Sequence, residues 1–120
     1  MNKNRFNDLL TELDKKSVET LNNKNANYSS DCDVLHNFNA GAGIMGCTPA
    51  QCAWGYLPKH LTSLRDKIQT NNFRDREDFL EKCQDSINYI RFIWLIGNEE
   101  LESQKSFDIE ANPTSIPNEL

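Results

Sequence analysis

Apolar residues recur at threes and fours along three long stretches of this chain, and each stretch predicts a helix. Phe6, Leu9, Leu10, Leu13, Val18 and Leu21 mark the first, from about Asn4 to Asn22. It is expected to fray in Asn22-Asn23-Lys24-Asn25, a run of weak helix formers. A second, short helix follows through Phe38 to Met45, with Ser30 or Asp31 as its cap and Gly46 as its end. Its small residues, Ala40 to Gly43, allow close approach of another backbone or of a ligand.

Thr48-Pro49 restarts the pattern, with Thr48 at the cap and Pro49 at the first helical position. The third helix carries Cys52, Ala53, Tyr56, Leu57, His60, Leu61, Leu64 and Ile68 on its inner side. Pro58 removes one backbone hydrogen bond and predicts a kink near Trp54 to Pro58. Thr70 to Arg74 reads as a turn, and Asp75 caps the last helix. There Phe79, Leu80, Cys83, Ile87, Ile90 and Trp94 form a stripe that broadens at Ile93, Leu95 and Ile96. The broadening predicts burial on more than one side, by the first helix or by a second subunit. No strand pattern or repeat interrupts the helices. The expected fold is all-α: a small bundle of three long helices plus one short helix. One domain spans 1–102, and 103–120, polar and acidic with two prolines, is expected to be a disordered, flexible tail.

Composition narrows the function. At 120 residues and a net charge of -5 the chain lacks the basic excess that bulk nucleic acid demands. No apolar run approaches the roughly 20 residues of a membrane span. Cys32, Cys47, Cys52 and Cys83 include no CxxC pair, which predicts free thiols in a reducing cytoplasm.

Candidate chemistry falls into three clusters. Lys24, Tyr28, Asp31, Asp33, His36, Asn37 and Phe38 share one stretch whose interleaved apolar residues predict folding back onto a core, with polar groups facing a cavity. Lys59, His60 and Arg65 follow Pro58 on the third helix. Glu77, Glu81 and Asp85 lie on one face of the last helix, with Asn88 and Tyr89 a turn beyond. Cations can grip phosphate oxygens, carboxylates can hold Mg²⁺, and a Tyr or Trp ring, Trp54 included, can stack on a base. A solvated charged face or a satisfied interior histidine is the plain alternative for each group. No Walker loop, GxGxxG, GxSxG or HExxH is present.

KNANY at Lys24 to Tyr28, DCDVLHNF at Asp31 to Phe38, PKHLTSL at Pro58 to Leu64 and EKCQDSINYI at Glu81 to Ile90 resemble phage and prophage proteins of the nucleotide-modification-associated domain type. The resemblance covers about Leu21 to Ile96. It implies an all-helical protein that binds or acts on nucleotides in the cytoplasm of an infected bacterium. More distantly, the carboxylate-bearing helices are similar to all-α nucleoside triphosphate pyrophosphatases of the MazG and dimeric dUTPase type. Those bind Mg²⁺ through ExxE and ExxD, spacings absent here, where Glu81 and Asp85 are four apart.

The expectation is therefore a homo-oligomeric protein that binds a nucleotide or cyclic nucleotide without an obligatory cofactor. It would act in nucleotide metabolism or sequester a host immune signal, in an anti-defence role. Its expected ligand-binding residues are Lys24, Tyr28, His36, Asn37, Phe38, Trp54, Lys59, His60, Arg65, Asp85, Asn88 and Tyr89. A Mg²⁺-dependent pyrophosphohydrolase using Asp31, Glu81 and Asp85 is one alternative. A protein-binding inhibitor of a host defence enzyme is the other.

Overall fold

The computed structural model describes residues 1–28 and 34–111, and it is all-helical. Three long helices and a short one appear in the expected order: α1 (Lys3–Tyr28), α2 (His36–Met45), α3 (Pro49–Gln69) and α4 (Arg76–Ala111). No helix among the described residues is long and apolar enough to cross a membrane.

Local signals set most of the ends. The Asn2 side chain accepts from the Arg5 amide at 2.8 Å and opens α1. Gly46 closes α2 in the left-handed region at φ 68°, its amide bonding back to Ala42. Thr48 and Gln51 form a reciprocal capping box at α3, at 3.1 and 2.9 Å, with Pro49 behind it. The Asp75 carboxylate accepts from the Asp78 amide at 3.0 Å, opening α4. Helix α3 runs through Pro58 without interruption. The bond lost there is the one that the Trp54 carbonyl would accept, and Trp54 is exposed.

Three boundaries differ from the sequence pattern. Helix α1 continues through the asparagine-rich run to Tyr28, because Thr20 and Lys24 find partners on α4 that outweigh local propensity. Helix α2 begins at His36, and Leu35 at its cap position makes no side-chain cap bond; Ser30 and Asp31 lie outside the described residues. Helix α4 continues past Glu102 to Ala111, while 112–120 lie outside the described residues.

The antiparallel α3–α4 hairpin is the backbone of the fold. Its register is fixed by Tyr56 beside Tyr89, His60 beside Asp85 and a Lys67–Asp78 ion pair. Helix α2 lies across the open end, where Phe38, Ala42, Cys52, Ala53 and Ile96 make the buried core. Close approach there depends on glycine: a Cβ at Gly41 would sit 3.0 Å from the Cys52 sulfur. Helix α1 packs on α4 through polar contacts centred on Ser17.

Much of the apolar pattern stays uncovered. Phe6, Leu10 and Val18 of α1 are exposed, as are Leu61 and Ile68 of α3, both expected on its inner side. On α4, Ile96 is buried, whereas Ile90, Trp94 and Leu95 are exposed. Among the described residues, nothing buries the broad end of α4 on several sides.

Candidate functional site: a cleft beside α2

The cleft follows from the small residues of α2. Because Gly41 lets α2 settle against α3, Phe38 drops into the core and packs on Phe92, ring centroids 4.7 Å apart, and edge-on to Tyr89 at 6.2 Å. Between α2 and the hairpin remains a cleft of about 570 Å³. Rings of Phe38, Tyr56, Tyr89 and Phe92 form its walls, Gly41 and Ala40 its narrow side, and Asn37 and Lys24 its polar rim. That volume is in the range of small-molecule sites.

Behind the rings lies a charged group. Asp85, largely buried, lies 3.6 Å from the Lys24 ammonium and 3.7 Å from His60 Nδ1. His60 stacks on Tyr89 with centroids 4.5 Å apart and planes 25° from parallel. Burial holds the His60 imidazole below its usual pKa, against the opposing pull of Asp85. The His60–Asp85 approach is therefore a contact of neutral imidazole with carboxylate at neutral pH, and Lys24 is the cation that balances Asp85. Burial also pushes the Tyr89 phenol up, so it stays protonated.

Lys24 also borders a second, polar groove of about 400 Å³ between α1 and α4, lined by Glu19, Glu77, Glu81 and Asp85 among others. Lys16 pairs there with Glu77 at 3.3 Å. Among the described residues, no group of three His, Cys, Asp or Glu side chains could hold a metal ion.

Of the expected site residues, the cleft unites Lys24, Asn37, Phe38 and Tyr89, with His60 and Asp85 directly behind. His36 opens α2 and is exposed. Lys59 is exposed and outside the cleft lining. Trp54 and Arg65 line a different groove, with Leu57, Pro58, Leu61 and Thr62, so the expected Lys59, His60 and Arg65 cluster is not one grip. At about 100° per residue, Arg65 lies far around α3 from His60. Asn88 is buried away from the cleft: its amide donates to the Ser17 carbonyl at 3.0 Å and accepts from Arg91 at 2.9 Å. The Tyr28 side chain, Asp31, Cys32 and Asp33 lie outside the described residues, so one carboxylate of the metal alternative does too. Cys47, Cys52 and Cys83 are free thiols, as their spacing predicts.

Sequence reasoning did not single out Tyr56 or Phe92 as site residues. Tyr56 stands one helical turn before His60, and Phe92 three residues after Tyr89, so helical spacing from two named residues would have found both. No family model, curated protein or solved structure matches this chain.

Proposed function

We propose that the α2 cleft binds a nucleotide or a nucleotide-derived signalling molecule. The observation that carries this reading is the meeting of four aromatic rings with one amide and one ammonium group in a single cleft of nucleotide size. A planar base stacks among rings at little orientational cost, Asn37 offers both donor and acceptor to a base edge, and Lys24 reaches a phosphate from the rim. Lys24 is also the group best placed to change partners, since an incoming phosphate competes with Asp85 for it. Binding without turnover suits this arrangement, because among the described residues no activated nucleophile faces the rings. The likeness of KNANY and DCDVLHNF to phage nucleotide-modification-associated domains supports a role inside an infected bacterium, in nucleotide metabolism or in sequestering a host signal.

The test is isothermal titration of the purified chain with mono-, di-, tri- and cyclic nucleotides, with the recovered ligand analysed for cleavage. Lys24→Ala is expected to weaken binding about tenfold, the loss of one charge-assisted contact. Tyr56→Ala, at the exposed edge of the cleft, should weaken it severalfold, whereas Arg65→Ala on the other groove should leave affinity unchanged. No binding of any nucleotide would remove this reading. A second reading, Mg²⁺-dependent hydrolysis, draws support from the carboxylates of the adjoining groove. Conversion to a monophosphate only with Mg²⁺, abolished by Glu81→Gln, would establish it instead.

A further inference from the structure

The α3–α4 hairpin has two broad sides; among the described residues α2 covers one of them, and on the other only Leu21 of α1 reaches the edge of α4. Phe38 and Gly41 of α2 and Lys24 of α1 all lie on the side marked by Tyr56 on α3 and Phe92 on α4. About a third of a turn the other way from the residues that join the two helices, each helix carries an apolar seam, exposed but for the half-buried Ile87 of α4. Because the helices run antiparallel, the same rotation on each brings both seams to the same side, opposite α2. On α3 the seam is Trp54, Leu61 and Ile68; on α4 it is Ile87, Trp94 and Leu101, with the exposed Ile90 beside it. Both repeat every seven residues, the period of helices that pack along their length.

We propose that this side of the hairpin binds the same side of a second copy, closing a four-helix bundle from two α3–α4 hairpins. The area fits. Trp54, Leu61, Ile68, Ile90, Trp94 and Leu101 are 65%, 44%, 56%, 55%, 68% and 49% exposed. Together they leave roughly 650 Å² of apolar side chain per chain. A standard interface takes roughly 500 Å² of apolar surface from each partner, and a monomer's largest patch is rarely above about 600 Å².

Charge fits a second copy as well. The seam positions from Trp54 to Ile68 and from Cys83 to Leu101 hold no carboxylate, and the cations on and beside them, Arg65 and Arg91, already have Asp66 and Asp14 at 3.7 Å. The net charge of -5 is carried elsewhere, so two such faces meet without like-charge repulsion. Two seams of equal period form a self-complementary surface, which is what a two-fold interface requires. Gly97 stands on the same side a turn beyond Trp94, with open space where a Cβ would be. That opening gives a partner's large side chain room against the backbone.

The chain carries its own reporter, because both of its tryptophans lie on this face. Sedimentation of the full chain at about 10 µM is expected to give twice the 13.8 kDa chain mass, with tryptophan emission blue-shifted and shielded from acrylamide. Leu61→Glu and Ile90→Glu, which keep both tryptophans, should each raise the dimer dissociation constant at least ~100-fold with helix content unchanged. Quenching should rise in step. A wild-type chain that stays single through ~100 µM overturns the proposal, and so does a dimer whose tryptophans quench freely. Unchanged dissociation constants in both variants also overturn it. Should a variant lose its helical signal, wild-type quenching against concentration decides alone. A foreign helical partner on this face would leave the purified chain monomeric, which counts against the proposal.

Discussion

Helix α4 is held on two sides by opposite chemistries. Toward α2 and α3 it offers Tyr89, Phe92, Ile93 and Ile96 to an apolar core around Phe38. Toward α1 it offers Gln84, Asn88 and Arg91, which meet Thr20, the Ser17 carbonyl and the Ser17 hydroxyl at 3.1, 3.0 and 2.7 Å. The apolar side gains from area and tolerates small displacements. The polar side gains little net energy but loses much when one partner goes, since the other is left buried and unpaired. Ion pairs of Arg76 with Glu12, of Lys16 with Glu77 and of Arg91 with Asp14 rim the α1 contact, where water screens them. One side supplies cohesion and the other fixes where α1 may sit.

The contrast can be broken most forcefully at Phe38. Phe38→Ala removes the ring that joins α2 to Tyr89 and Phe92 and should cost about 3–4 kcal/mol in denaturant unfolding, with cooperative loss of the whole helical signal. Asn88→Ala should cost less, about 1–3 kcal/mol, and act locally: amide exchange should rise in α1 while α3 stays protected. If exchange rises equally in every helix, the two sides are not energetically distinct.

His60→Gln is the finest probe. His60 has its pKa lowered in the folded chain by burial, so between the folded value and the ordinary value of about 6.5 the unfolded chain binds more protons. The contribution of His60 is therefore complete above about pH 6.5 and is lost as pH drops towards the folded value. His60→Gln should flatten that slope in melting temperatures measured from pH 7 to pH 5. An unaltered slope would mean that other groups carry the acid response.

Much of the fold was legible because its signals are local. Gly46, Thr48-Pro49 and Asp75 end or open helices through bonds to residues within four positions, and such bonds are written in the sequence. The α1 contact was illegible for the opposite reason. Ser17 stands in the register of Leu13 and Leu21, where a polar residue looks like an interruption of the stripe; in the fold it is fully buried. Its partners are 71 and 74 residues away. A serine inside an apolar stripe, set against an Asn–Arg pair three apart on another helix, is the signal that marks such a seam. The cleft was half legible. Asn37, Phe38, Asp85 and Tyr89 stood out, but Lys59 and Arg65 were grouped with His60 by proximity in sequence, whereas helical angle separates Arg65 from it.

Cys52 turns the tight seat of α2 into a clock. Its sulfur is capped by Gly41, it is 1% exposed, and burial pushes its thiol pKa up, so no reagent reaches a thiolate while α2 is in place. Alkylation of Cys52 at fixed pH then counts the moments when α2 lifts from α3, well after the partly exposed Cys47 has reacted. A molecule lodged beneath α2 would slow that clock in proportion to its occupancy, so the chain reports on its own cleft without a label chosen for any particular ligand.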